Sequence, residues 1–134
     1  MSLDTKRNNF PNALAICAPS GTGKTTFLCA LIKKILLRDN NHSTEDIVVL
    51  KMSHHKIAED SRGKDCQKYR DMGILAKATQ DLHEAYAFLQ DHRDKICFIE
   101  GGRRLHLPSI VLHRKNKPHD NWQYPQKTLM VVEL

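Results

Sequence analysis

The 134-residue sequence has few aromatic residues and contains no long apolar run, internal repeat, low-complexity stretch or C-x-x-C pair. The first ten or so residues are polar and lack the apolar segment of a secretory signal peptide. No stretch is apolar over the roughly 20 residues that a membrane-spanning helix needs. We therefore expect a single domain over residues 1–134, located in the cytoplasm and not associated with a membrane.

The cysteines and the charge limit the function classes further. The four cysteines, Cys17, Cys29, Cys66 and Cys97, lie far apart, and two of them stand within apolar runs. Buried free thiols in a reducing compartment explain this pattern better than disulfides or a zinc site. The formal net charge of +6 suits an anionic ligand, but the basic residues are dispersed. The sequence therefore gives no positive indication of nucleic-acid binding.

One stretch, APSGTGKTT at residues 18–26, indicates a ligand class. It follows the apolar run 13–17 and leads into a segment with the composition of a helix. The pattern G-x-x-x-x-G-K-[ST] is met except that Ala18 replaces the first glycine. Gly21 and Gly23 allow the backbone to turn several N–H groups onto phosphate oxygens. Because both the strand and the helix that the motif requires flank it, the stretch predicts a phosphate-binding (Walker A) loop rather than a chance match.

Each position of this loop has an expected role. Lys24 is expected to reach the β- and γ-phosphates and so to act closest to the chemistry, and Thr25 to place its hydroxyl on Mg²⁺. The start of the helix at about Lys24 adds the positive end of its dipole. The predicted nucleotide-binding residues are Ser20, Gly21, Thr22, Gly23, Lys24, Thr25 and Thr26.

The remaining chain alternates predicted strands and helices. Apolar runs predict strands near residues 47–50, 74–78, 96–99, 110–112 and 129–132. Helices are predicted over 24–37, over 65–72 with a stop at Gly73, and from Thr79 onward, with Thr79 or Asp81 as the N-cap. This order predicts a three-layer α/β domain with a mostly parallel sheet. The last strands have no helices between them, so we expect some antiparallel pairing at an edge.

Ligands of such sheets lie at the carboxyl ends of the strands. Glu100 ends an apolar strand where a metal-linked acid is expected, so it would reach Mg²⁺ through water or orient an attacking water. A solvated strand end is the other interpretation, and the sequence does not choose between them. Gly101 and Gly102 follow directly and favour close approach of the backbone to a ligand.

Basic and histidine residues after two strands are further candidates. Lys51 either complements the phosphates or extends its stem along apolar surface at a strand end. Arg103 and Arg104 either clamp an anion or are ordinary surface arginines. The pair His54-His55 is more often exposed loop than a metal site when it is taken alone.

Combined, these motifs resemble the molybdopterin-guanine dinucleotide biosynthesis protein B (MobB) family, a P-loop NTPase family. The resemblance covers about residues 13–114. It depends on the loop Ser20 to Thr26, on Lys51, His54, His55 and Gly63-Lys64-Asp65, and on Glu100-Gly101, Arg103, Pro108, Ile110 and His113-Arg114.

The resemblance implies a P-loop (Rossmann-like) fold and a GTP-binding accessory protein with Mg²⁺, at most a weak GTPase. Such a protein assists a MobA-like nucleotidyltransferase in attaching GMP to molybdopterin, and it forms homodimers through pairing of strands between subunits. It also implies phosphate contacts from the loop, a metal-side and catalytic acid at Glu100, a basic lining at Lys51 and Arg103, and site roles for His54, His55 and Asp65.

Some positions depart from the family pattern. Gly102 stands where an aromatic residue is usual, Met52 replaces a common His, and Arg103 replaces a common Lys. The segment at residues 116–120, NKPHD, resembles the guanine signature N-K-x-D but has one residue too many. Guanine preference is therefore implied by the resemblance alone.

A second hypothesis is a small-molecule kinase or another NTP-hydrolysing enzyme on the same scaffold. Glu100 and Arg103 would then serve an acceptor substrate. Kinases of this kind carry an arginine-bearing lid, and residues 81–94 read as an amphipathic helix instead. We therefore prefer the accessory protein.

Overall fold

The computed structural model describes residues 10–19, 22–38, 41–52, 66–115 and 122–134, which form six strands and three helical segments. The strands are β1 (Ala13–Cys17), β2 (Ile47–Met52), β3 (Leu75–Thr79), β4 (Ile96–Glu100), β5 (Ser109–His113) and β6 (Thr128–Glu133). The helices are α1 (Lys24–Arg38), α2 (residues 66–71) and α3 (Leu82–Asp91), and 3-10 turns cover Thr44–Asp46 and Arg103–Leu105.

The strands form one sheet in the order β3-β2-β4-β1-β5-β6, and every neighbouring pair is parallel. Strand β4 lies between β1 and β2, so Glu100 is in register with Ile16 on one side and with Lys51 on the other. The ends of these three strands therefore meet at one edge of the sheet, as parallel pairing requires.

The central strands are buried because helices cover both faces of the sheet. Alternate residues of β2 point to opposite faces: Val48 and Leu50 belong to one apolar cluster, and Ile47 and Val49 to the other. The first cluster includes Phe88 and other residues of α3. The second cluster contains residues of α1 and α2, namely Leu28, Ile32, Cys66 and Tyr69. The predicted three-layer α/β fold is confirmed.

The helix ends follow local chemistry that the sequence indicated. Asp81 caps α3, since its side chain accepts a hydrogen bond from the backbone N–H of His83 at 2.8 Å. Gly73 ends α2 with a φ of +83°. The N–H groups of Gly73 and Ile74 donate to the carbonyls of Arg70 and Tyr69, at 2.9 and 3.0 Å, which is the Schellman arrangement.

The prediction of antiparallel edge strands was wrong. Strand β6 pairs in parallel with β5, from Ser109 opposite Thr128 to His113 opposite Glu133, with one irregularity after Ser109. The connection over residues 114–127 is long enough to cross back over the sheet, and a parallel partner needs a connection of about a dozen residues. The side chains of Leu129 and Met130 remain exposed on this edge strand.

No disulfide joins the four cysteines, and Cys17, Cys66 and Cys97 are buried, as expected. Burial raises the pKa of the Cys17 and Cys97 thiols. Within the described parts of the chain, no helix is both long and apolar enough to cross a membrane.

The left-handed backbone at Gly73 makes a testable demand on this position. We expect Gly73→Ala to lower the free energy of unfolding by about 1–2 kcal/mol, because a Cβ is disfavoured at positive φ. Gly73→Asn is the control, since asparagine tolerates this region better and should cost less. Urea unfolding measures both variants. The side chain of Thr44 would lie 3.6 Å from a new Cβ, which is an ordinary contact distance, so steric crowding should not add to either loss. Equal losses in the two variants would therefore contradict the account.

Candidate functional site

The structure describes eight of the predicted site residues: Thr22, Gly23, Lys24, Thr25, Thr26, Lys51, Glu100 and Arg103. Ser20, Gly21, His54, His55 and Asp65 lie outside the described residues, as do Gly63-Lys64 and the NKPHD segment. The roles predicted for this second group stay predictions.

The described part of the loop between β1 and α1 consists of residues 18–19 and 22–23. Thr22 is buried, and its hydroxyl donates to the carbonyl of Pro19 at 2.7 Å. Gly23 has a φ of +102°, and its carbonyl accepts the hydrogen bond of Phe27 at 3.0 Å, so that α1 begins directly after it. The first N–H groups of a helix have no partner within the helix, which makes this end suitable for an anion.

Two basic side chains lie against this loop. The ammonium of Lys24 donates to the carbonyl of Ala18 at 3.4 Å, so the side chain folds back over its own loop. The guanidinium of Arg114 lies 3.6 Å from the position that a Cβ at Gly23 would take. Arg114 was noted in the sequence only as part of a family pattern, and its position beside the loop follows from the parallel placement of β5 next to β1. Thr26 is exposed in the first turn of α1.

Glu100 is the centre of a buried polar cluster. Its side chain is 4% exposed, so it is not a solvated strand end. The hydroxyl of Thr25 donates to Oε1 at 2.6 Å, and the hydroxyl of Tyr69 donates to Oε2 at 2.6 Å. The ammonium of Lys51 lies 4.0 Å from Oε1. The structure thus brings together the two residues predicted on the metal side, Thr25 and Glu100, with one predicted cation.

Tyr69 is the member of this cluster that sequence reasoning missed. It lies on α2 and is fully buried. Burial and the adjacent carboxylate of Glu100 raise the pKa of Tyr69 far above its usual range, so the phenol stays a hydrogen-bond donor at all physiological pH values. No motif marks the position, because the two partners are 31 residues apart.

The oxygen atoms of this cluster fit a magnesium ion. Hydroxyl and carboxylate oxygens are ligands that Mg²⁺ accepts, and Mg²⁺ is usually held by one or two carboxylates together with substrate phosphates. The hydroxyl of Thr25 donates its hydrogen bond to Glu100, so the lone pairs of the hydroxyl oxygen point elsewhere and can bind a cation. Among the described residues there is no group of three or more His, Cys, Asp or Glu side chains that could form a complete protein cage. A cation here would therefore need phosphate oxygens as well.

A small pocket lies beside the loop, lined by Lys24, Arg103 and Trp122 together with Cys17, Ala18 and the two glycines after β4. The guanidinium of Arg103 lies 5.2 Å from the centre of the Trp122 ring, within cation–π distance. Trp122 is a second site residue that the sequence did not indicate. Arg104 does not join Arg103 in a clamp, since its guanidinium donates to the carbonyl of Gln80 at 3.4 Å.

Packing explains the two glycines after β4. Gly101 has a φ of +87°, and a Cβ there would lie 3.0 Å from the carbonyl oxygen of Met52. At Gly102, with a φ of +76°, a Cβ would lie 2.6 Å from Cγ2 of Ile99. Close approach of protein atoms therefore requires glycine here, whereas the sequence pattern favoured close approach of a ligand.

The cluster predicts a stability effect. We expect Tyr69→Phe to lower the free energy of unfolding by about 1.5–3 kcal/mol, because Oε2 of buried Glu100 would lose its hydrogen bond. Tyr86→Phe is the matched control, since this hydroxyl on α3 has no hydrogen-bond partner in the described part of the chain. Urea unfolding at pH 7 measures the difference. Equal effects of the two substitutions would show that the Tyr69 hydroxyl does not stabilise Glu100.

Comparison with known proteins identifies the family of the chain. The model of the family "Molybdopterin guanine dinucleotide synthesis protein B" (MobB) matches residues 13–80, which include the loop, Lys51 and Tyr69. The chain is also 29% identical over 123 residues to the molybdopterin-guanine dinucleotide biosynthesis adapter protein of Haemophilus influenzae. That alignment covers 81% of this chain and 66% of the length of the Haemophilus protein. Because the family model matches just over half of the chain, the resemblance seen in the sequence is confirmed, and the chain belongs to the MobB family.

Proposed function

We propose that this chain is a GTP-binding adapter in molybdopterin-guanine dinucleotide biosynthesis, with Mg²⁺ as the cofactor of its nucleotide site. Membership of the MobB family supports the role in this biosynthesis. The printed name of the Haemophilus relative, an adapter protein, supports a function carried out with a partner enzyme. Guanine as the base is taken from the family.

The observation that carries the proposal is the hydrogen bond between Thr25 and Glu100. It joins the first turn of α1 to the end of β4, across 75 residues of sequence, at 2.6 Å. An arrangement of a loop hydroxyl with a strand-end acid suits the Mg²⁺ that accompanies nucleotide phosphates. Burying a carboxylate lowers the stability of the fold unless the charge is compensated. A buried carboxylate beside a phosphate loop is therefore better explained by a role in binding than by a role in stability.

Different side chains would bind the phosphates and the Mg²⁺ ion. The loop backbone and the start of α1 would receive the phosphates, and Lys24 would exchange the carbonyl of Ala18 for phosphate oxygens. Thr25 and Glu100 would hold Mg²⁺, which neutralises phosphate charge when it is bound. Lys51 would add positive charge beside Glu100, and Arg103 would add it in the pocket beside the loop.

The cluster also supports the proposal that any hydrolysis is slow. Both oxygens of Glu100 already accept hydrogen bonds, one from Thr25 and one from Tyr69. A carboxylate that holds Mg²⁺ through Oε1 and Tyr69 through Oε2 would be poorly placed to act as a general base for an attacking water. We therefore propose at most a weak Mg²⁺-dependent GTPase, with nucleotide binding as the main activity.

The partner is proposed on the same ground. A MobA-like nucleotidyltransferase would attach GMP to molybdopterin, and this chain would assist it without itself transforming the pterin. The exposed apolar side chains of β6, among them Leu129, Met130 and Val131, suit pairing with a second copy of the chain. A homodimer is therefore part of the proposal.

The kinase alternative has no support in the described residues. The region in which a lid was sought forms the regular helix α3, which packs on the sheet through Ala85, Phe88 and Leu89. Arg93, the arginine in that region, lies over the ring of Phe10 at 5.8 Å from its centre, and Arg104 donates to the carbonyl of Gln80. The adapter function is therefore the one that we develop.

The proposal predicts how Lys24 contributes. Lys24→Ala should weaken Mg²⁺-GTP binding by at least about tenfold, because a hydrogen bond to a charged group is worth about 1.5–3 kcal/mol. Lys34→Ala is the matched control, since it removes the same charge from an exposed position of the same helix. Calorimetric titration with GTP and with ATP measures the affinities, and GTP should bind more tightly than ATP.

Three results would contradict the proposal. They are equal affinity for ATP and GTP, GTP binding that survives Lys24→Ala unchanged, or rapid phosphate transfer to a small acceptor. The last of these would favour the kinase.

A further inference from the structure

The geometry around Glu100 assigns a role to Tyr69 that the phosphate-loop motif does not include. The phenol hydroxyl donates to Oε2 of Glu100 at 2.6 Å, whereas Thr25 donates to the other oxygen, Oε1. The two carboxylate oxygens therefore face different partners. Oε1 faces the phosphate loop, and Oε2 faces the interior beneath α2.

Tyr69 is held firmly in this position. Its ring belongs to the apolar cluster that contains Leu28, Ile32 and Phe98. Its carbonyl accepts the hydrogen bond from Ile74 that closes the end of α2, at 3.0 Å. Both ends of the residue are therefore fixed, and the hydroxyl cannot leave Oε2 without disturbing the core.

The hydroxyl is also a permanent donor. Burial and the negative charge of Glu100 both oppose loss of its proton, so the pKa of Tyr69 lies far above its ordinary value. The ammonium of Lys51 lies 4.0 Å from Oε1. No change of pH in the physiological range would release Oε2.

This arrangement affects which cation the carboxylate can accept. Ca²⁺ takes six to eight oxygen ligands and often binds both oxygens of one carboxylate. Mg²⁺ is smaller, keeps several of its waters and takes few protein ligands. Oε1 also accepts a hydrogen bond, but its donor, Thr25, is itself a predicted ligand of the cation, whereas the donor to Oε2 is fixed in the core. We infer that Tyr69 is a positioning residue that reserves Oε2 of Glu100, so that the nucleotide site offers a cation only Oε1 and selects Mg²⁺ over Ca²⁺. This inference rests on the proposed function, because the cation is the one that accompanies the nucleotide.

The test compares two cations in one binding assay. GTP is titrated calorimetrically into the full chain with saturating Mg²⁺ and, separately, with saturating Ca²⁺, and the ratio of the two dissociation constants is the readout. In the wild type, Mg²⁺ should support binding at least about tenfold better than Ca²⁺. Tyr69→Phe frees Oε2, so this ratio should fall several-fold, mainly through tighter binding with Ca²⁺.

Two controls separate selectivity from general damage. Tyr86→Phe removes a partly buried hydroxyl elsewhere and should leave the ratio unchanged. In a Glu100→Gln background, Tyr69→Phe should no longer change the ratio, because its effect acts through the carboxylate. A loss of stability alone would weaken binding with both cations equally and would leave the ratio as it was.

Each outcome decides the matter. Equal support by Ca²⁺ and Mg²⁺ in the wild type would overturn the inference without any variant, even if Tyr69→Phe failed to fold. A folded Tyr69→Phe protein with the wild-type ratio would also overturn it, while a loss of GTP binding in Lys24→Ala would still support the proposed function. Absence of GTP binding in the wild type would defeat the proposed function itself.

Discussion

The buried charge of Glu100 is the constraint on which the rest of this structure depends. Removing a carboxylate from water costs several kcal/mol unless donors or charges compensate for it. Three elements supply that compensation: Thr25 from α1, Tyr69 from α2 and Lys51 from β2. The compensation requires the phosphate loop, the second strand and the second helix to meet at the end of β4. The residues that stabilise the charge are therefore also those that define the candidate site.

The same constraint relates stability to function. If the cluster served the fold alone, apolar residues of similar volume would do as well or better. A carboxylate kept at the edge of a phosphate loop is more readily explained as one side of a cation site. The cost of burial is offset by hydrogen bonds, and these hydrogen bonds in turn limit the chemistry that Glu100 can perform. The proposed function, nucleotide binding with at most weak hydrolysis, is consistent with this balance.

The sequence predicts the centre of the fold well because burial leaves a clear signal there. Strands covered on both faces read as continuous apolar runs, as Ile47 to Leu50 do, and the loop motif places β1 and α1 on its two sides. Local rules also predicted the stop at Gly73 and the cap at Asp81. These features depend on residues that are close in the sequence, so a single sequence is enough to predict them.

Features that depend on distant partners were not predicted. The parallel direction of β6 is a property of its pairing with β5, which hydrophobic periodicity does not record. Tyr69 and Trp122 belong to the site only because folding brings them to Glu100 and Arg103. The sequence singled out Gly101 and Gly102, but it did not show which atoms require glycine there. Those atoms belong to Met52, which is distant in the sequence, and to Ile99, which is close. Pairwise geometry of this kind has no signature in a single sequence.

The most direct measurement of the central claim is a crystal structure of the full chain grown with Mn²⁺ and a non-hydrolysable GTP analogue. Mn²⁺ replaces Mg²⁺ and is located by its anomalous scattering. The account predicts phosphates in the loop at residues 18–26 and a manganese peak between them and the pair formed by Thr25 and Glu100. A nucleotide bound elsewhere, or a peak away from this pair, would contradict it.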